Sequence, residues 1–351
     1  MKKLPGLLFI IIFLSSCQAG WSPDSGQPSD AATQNAEATH EPSPIALTEN
    51  GVTPDIEAYL YEVLDTVREN ALNAEQVDWG EAEADIFARS EGATETKHTY
   101  PHINILLSKL KDNHSFFLTP KRAATLAAAT LDDYPEISSE MVDSRLGYIN
   151  IPNFAAIDQA VADEHAQQIQ AHLGQSAEQQ PCGWIVDLQD NTGGNMYPML
   201  AGLAPLLGDG TLGYFLPPKG EPQTWHLQDG QIMLDDKQMI FVAEPSTVDL
   251  SEMPVAVLLN RVTASSGEAV AISFVGRPQT QLFGQNSRGL STANNGFGLS
   301  DGARLILTVS VMSDRNQTPY GAEVVPDVVV DDEMVLETAV SWLLEQPNCV
   351  S

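Results

Sequence analysis

From Leu146 to Leu344 short apolar runs alternate with longer amphipathic stretches, and this alternation limits the fold more than any other feature. Leu146–Ile151, Gly183–Leu188, Pro254–Leu259, Gln281–Gly284, Ala303–Val311 and Val328–Val330 read as strands. Helical patterns separate several of them, at Ile157–Leu173, Met196–Leu207 and Ser265–Val275, and a last one follows at Val335–Leu344. Gln223–Val242 reads as a polar hairpin turning at Asp229-Gly230. Strands alternating with helices predict an α/β domain over residues 136–351.

The preceding part is different. Pro54 suits the first position of a helix, with Thr53 as its cap, and Ile56, Leu60, Val63, Leu64 and Val67 share one face. Further helical patterns at Glu81–Arg89, Tyr100–Leu110 and the alanine-rich Lys121–Leu131 predict a helical subdomain over residues 54–135. Residues 17–53 are rich in Ser, Pro, Ala, Glu, Gln and Asn and cannot bury enough surface to offset chain entropy, which predicts a disordered tether. Residues 1–16 carry Lys2 and Lys3 before the apolar run Leu7–Leu14. That run is too short to span a bilayer and has the order of an export signal.

Charge then excludes some functions. The 351 residues hold 47 acidic and 17 basic side chains, a formal net charge of −30. Such a chain has no broad basic face, which argues against nucleic acid as a partner and against an electrostatic grip on anionic lipid. With 43% apolar and 18% charged residues it can still bury a core. Three cysteines are too few for a disulfide scaffold, and Cys182 and Cys349 stand open between a pair and packed thiols. No His, Cys, Asp or Glu cluster has metal-ligand spacing, so neither a metal nor a cofactor is expected.

Three segments carry chemistry. Asn260-Arg-Val-Thr-Ala-Ser-Ser-Gly-Glu268 lies where a strand gives way to a helix, a place that exposes a hydroxyl beside helix N-terminal amides. Ser265-x-x-Glu268 is equally the form of a helix capping box. Asp112-Asn-His114-Ser offers the side chain best matched to proton transfer near neutral pH, or a plain helix-end histidine. Asp187-Leu-Gln-Asp-Asn191-Thr-Gly193-Gly194 runs from a buried strand into a glycine turn whose amides suit an anion, or is a simple strand-to-helix turn.

Together, in their chain order and spacing, these segments resemble the tail-specific (C-terminal-processing) serine peptidases. Leu146-Gly-Tyr-Ile-Asn-Ile-Pro152 and Pro326-Asp327 add to the match, which runs from about Thr53 to Val330. The resemblance implies a crotonase/ClpP-like α/β spiral with an N-terminal helical subdomain. It implies Ser265 as nucleophile and the amides of Ser266, Gly193 and Gly194 as an oxyanion hole. In one branch of the family the base is a lysine beyond the serine. Here that place is Leu290, and no lysine follows Lys237. The chain instead resembles the tricorn-like branch, which makes His114 the base. The glutamate of that branch falls on Tyr320, so the acid is open: Asp314, at a strand end beside a polar loop, is preferred, with Glu323 second and two solvated acids the bland option. The family's Arg is Gln189 here, and the stretch between Ser115 and Leu146 is too short for a PDZ module.

Leu14-Ser-Ser-Cys17 resembles a bacterial lipobox, which implies lipidation of Cys17 after removal of residues 1–16. Gln18 favours the outer membrane, so the expected location is the cell envelope, on the periplasmic side or at the surface. The expected function is a serine peptidase forming an acyl-enzyme on protein or peptide substrates. A binding protein for peptides or other ligands on the same fold, with catalysis lost, is the alternative, and an esterase-like hydrolase is a weaker third reading. Oligomeric state and substrate are open.

Overall fold

A computed structural model of the chain describes residues 46–350. The export signal, Cys17 and most of the proposed tether lie outside the described residues. The folded part begins earlier than Pro54, because Val52 is fully buried and the Thr48 N–H donates to its carbonyl at 2.8 Å.

Helices α1 (Pro54–Asn70), α2 (Trp79–Arg89) and α3 (Tyr100–Ser108) come first. The predicted face of α1 is buried together with Tyr59. Thr53 sits at the cap position but its side chain makes no cap bond, whereas Asp78 caps α2 by accepting from Glu81 N. Strand β1 (Phe116–Leu118) and α4 (Pro120–Ala127) follow. The α/β part then runs β2 (Ser138–Val142), β3 (Leu146–Asn150), α5 (Gln159–Ala177), β4 (Gly183–Asp187), α6 (Met196–Gly202) and α7 (Ala204–Leu207). Next come β5 (Gly210–Leu216), β6 (Gln223–Gln228), β7 (Gln231–Leu234), β8 (Lys237–Gln238), β9 (Val255–Leu259) and α8 (Ser266–Phe274). The chain ends with β10 (Thr280–Gly284), β11 (Thr292–Gly298), β12 (Arg304–Asp314), β13 (Val328–Val329), α9 (Asp332–Leu344) and α10 (Pro347–Val350).

One six-stranded sheet has the order β13-β10-β9-β4-β3-β2 and is parallel except at β2. Side chains alternate across a strand. Leu146, Ile185, Ala256, Leu258 and Phe283 therefore meet Val335, Ala339 and Leu343 of α9. Ile149, Val186, Val257 and Leu259 join the larger core that includes Ile169 of α5, Leu200 of α6 and Ile272 of α8. A parallel sheet covered on both faces explains why β4 and β9 are apolar at nearly every position.

The second sheet runs β1-β12-β5-β6-β7-β8, with β11 also on β12. Ile306 pairs with both Phe116 and Gly296, and Val311 with both Thr292 and Leu216, so β11 flanks β12 on the side opposite β1 and β5. The helical region is not a separate body, because Leu305 and Leu307 of β12 lie in one core with α1, α2 and α3. Residues 116–145 hold β1, α4 and β2 and no further module.

Cys182, just before β4, is bonded to Cys349 in α10, which closes the choice the sequence left open. The bond ties α10 to the start of β4, on the face of the sheet that α9 covers. Non-reducing peptide mapping is expected to recover the 182–349 link. Cys349→Ser is expected to cost about 2–4 kcal/mol in denaturant unfolding, since it frees a long loop in the unfolded chain.

Candidate active site

The site forms where four segments converge: the loop after α3, the turn after β4, the elbow before α8 and the start of β11. Ser265 is the cap of α8, with φ 52° and ψ −114°. A serine at positive φ costs about 1–3 kcal/mol and persists only where its surroundings force it. Here the Ala264 N–H is held by the Asn191 carbonyl at 2.9 Å, and the Ser265 N–H by the Glu268 carboxylate at 2.6 Å. Glu268 is fully buried and also accepts from the Ser287 hydroxyl and from the N–H groups of Gly289 and Leu290. Burial raises its pKa, against the opposing effect of these donors. Ser265 is half-buried, and its hydroxyl faces the loop after α3.

His114 meets it. Its Nε2 lies 2.9 Å from Ser265 Oγ, across 151 residues of sequence. Asp112 shapes the turn that presents the ring, accepting from His114 N at 3.1 Å and from Ser115 N at 2.6 Å. Ser115 in turn accepts from Thr308 N at 3.0 Å, which fastens the loop to β12. The ring is buried, and desolvation lowers its pKa to about 4, with the Asp112 charge pulling the other way.

The glycine turn closes the third side. Asn191 is fully buried, donates to the Ile151 carbonyl at 2.9 Å and accepts from Gly193 N at 2.8 Å. Gly193 and Gly194 have φ +100° and +124°. The Gly193 carbonyl accepts from Phe154 N at 3.2 Å, so in a trans peptide the Gly194 N–H points the opposite way, away from Phe154. The Ser266 hydroxyl donates to the Gly194 carbonyl at 2.8 Å and fixes the turn against α8. Ser266 N is the first amide of α8 and lacks an intrahelical acceptor. The Gly193 N–H is committed to Asn191, so of the three amides expected for an anion, Gly194 and Ser266 are the available ones.

Residues 145–330 match the family model described as peptidase family S41. The chain belongs to peptidase family S41. It is 26% identical to the nisin-resistance protein of Lactococcus lactis subsp. lactis over 296 residues, 84% of this chain and 89% of that one. It is 27% identical over 196 residues to the chloroplastic C-terminal processing peptidase of Tetradesmus obliquus, a match spanning 54% of this chain and 36% of that longer protein. Among solved structures, a lipoprotein from Streptococcus agalactiae superposes with a TM-score of 0.71 at 27% identity, covering 82% of this chain and 96% of that one. The photosystem II D1 C-terminal processing protease shares the fold, with a TM-score of 0.55 at 17% identity over 85% of this chain and 99% of that one.

Within this S41 framework the expected acid is not beside the histidine. Asp314 is buried at the far end of β12, three positions past Val311, the register partner of Thr292, and accepts from Asn316 N and Thr318 N. Three strand residues put it about 10 Å along the sheet. Glu323 is exposed and accepts from Asn286. What faces His114 Nδ1 is Thr292 Oγ1, at 2.7 Å, while Asn294 donates to the His114 carbonyl at 2.8 Å. Both belong to β11, whose Asn-Asn-Gly-Phe-Gly sequence has turn composition and gave no strand signal. Its one cue was position: it precedes a long strand by a hairpin-length gap.

Among the described residues no group of three or more His, Cys, Asp or Glu could hold a metal ion, and no helix is long and apolar enough to cross a membrane.

A methyl group on Gly193 would stand 2.7 Å from Ser265 Cβ and 3.0 Å from Ser266 N. Gly193→Ala is expected to lower Ser265 reactivity toward a fluorophosphonate probe by about a hundredfold or more, because the methyl would crowd the Ser265 side chain and block the Ser266 amide. Glu268→Gln is expected to lower the unfolding free energy by about 1–3 kcal/mol, because an amide cannot satisfy all four buried donors. Denaturant titration measures it.

Proposed function

We propose that this chain is a serine peptidase that hydrolyses protein or peptide substrates through an acyl-enzyme. The observation that carries the reading is the 2.9 Å approach of His114 Nε2 to the hydroxyl of Ser265, a residue held at positive φ on the cap of a helix. His114 takes the Ser265 proton as the oxygen adds to the carbonyl carbon. The Gly194 and Ser266 amides receive the resulting oxyanion, and the same proton passes to the leaving amine. Water, deprotonated by His114, then releases the acyl group. Retention of both Ser265 and His114 in bonding geometry favours catalysis over a binding role on this fold. Membership of the S41 family supports a peptide substrate over another ester.

The proposed location is the cell envelope, with Cys17 lipidated and the folded part carried on the preceding segment. The basic-then-apolar leader ending at Cys17 supports this, as does a disulfide in the folded part. Loss of palmitate incorporation in Cys17→Ala is the expected result, and incorporation that survives it counts against the anchor.

Fluorophosphonate labelling is expected in the wild type and absent in Ser265→Ala, with at least about a hundredfold slower labelling in His114→Ala. Hydrolysis of casein and a peptide panel that includes nisin tests the substrate class. Wild-type protein that neither labels nor hydrolyses any of these supports the binding role instead.

The base must be neutral to accept a proton, and His114 sits at about 4. Labelling is therefore expected to hold steady from neutral pH down to about 5 and to fall with a midpoint near 4. A midpoint above 6 would point to a histidine stabilised in its charged form.

A further inference from the structure

We infer that Thr292 is the positioning residue of the catalytic histidine, a neutral hydroxyl in the place where serine hydrolases usually carry a carboxylate. This deepens the peptidase reading and rests on it. The neutral imidazole carries one proton on one of two nitrogens. Each nitrogen faces a hydroxyl: Nε2 faces Ser265 at 2.9 Å and Nδ1 faces Thr292 at 2.7 Å. For Ser265 to give up its proton, Nε2 must be the acceptor, so the ring proton sits on Nδ1. Thr292 Oγ1 then accepts the Nδ1–H bond. The backbone that carries the ring is held from the same strand, because Asn294 donates to the His114 carbonyl two residues further along β11.

The charged surroundings agree. Asp112, on the histidine's own loop, is the charged group acting on the ring, and it spends its carboxylate on the His114 and Ser115 amides and the Ser115 hydroxyl. From the elbow and from β11 the ring meets hydroxyls. Asp314 and Glu323 are engaged elsewhere. A hydroxyl accepts the Nδ1 proton without adding negative charge, so it orients the base and leaves the imidazolium unstabilised. The histidine thereby stays neutral, and competent, into acid.

The test is a series at position 292 read by fluorophosphonate labelling rate against pH and by imidazole 15N spectra. Wild type should show the Nδ1–H form. Thr292→Val, of the same shape, should mix the tautomers and slow labelling at least about tenfold. Thr292→Ser should recover most of that loss. Thr292→Asp should move the acid limb up by about one to three pH units, because an adjacent carboxylate favours the charged ring. An Nε2–H form in the wild type overturns the assignment, as does a Val variant with the wild-type rate and pH profile, or an Asp variant with an unmoved acid limb. The spectra need no turnover. A wild type that does not label but shows the Nδ1–H form, lost in Thr292→Val, defeats the peptidase reading while leaving Thr292 as the orienter.

Discussion

The buried carboxylate of Glu268 is the constraint on which the site depends. It draws in the Ser265 N–H from one side and the Ser287 hydroxyl and the Gly289 and Leu290 amides from the other. A buried carboxylate without donors would be prohibitive. With four donors it becomes a clamp between the elbow before α8 and the loop that leads into β11. The clamp holds Ser265 at positive φ and delivers Thr292 to the start of β11, one turn of chain beyond Leu290. The capping box of Ser265-x-x-Glu268 and the contact with His114 are thus one arrangement, since Glu268 takes the Ser265 N–H while the Ser265 hydroxyl meets the imidazole.

The β11–β12 hairpin then joins the halves of the molecule. β12 is long enough to place Leu305 and Leu307 in the helical core and Met312 in the core of the α/β part. The loop that carries His114 is pinned to β12 through Ser115 and Thr308, and its carbonyl to β11 through Asn294. The histidine therefore does not reach its serine as part of an independent helical domain. It is built into a sheet whose other strands begin nearly a hundred residues later in the chain.

Much of this was legible beforehand. Parallel strands buried on both faces must be apolar throughout, so β4 and β9 stood out, and the 3.6-residue stripe of α1 marked its buried side. The segments around Ser265, His114 and the glycine turn could be picked out by their short motifs, but what brings them together is a contact across 151 residues. β11 did not stand out. Its glycines and asparagines have turn propensity, and strand geometry is imposed on them by pairing with β12, a non-local interaction. The choice of Asp314 as acid failed for the same reason: a strand end looks suitable in sequence, but register sets which strand position stands at the histidine, and that position is three residues earlier and on the neighbouring strand.

The sequence by itself determined the α/β class and the family, because both rest on short segments with fixed local chemistry. Only the tertiary structure decided the rest. It paired Cys182 with Cys349, took the Gly193 amide for Asn191, and set a threonine where an acid was expected. Each of these is a contact between residues far apart in the chain, and such contacts exist only once the sheets have chosen their register.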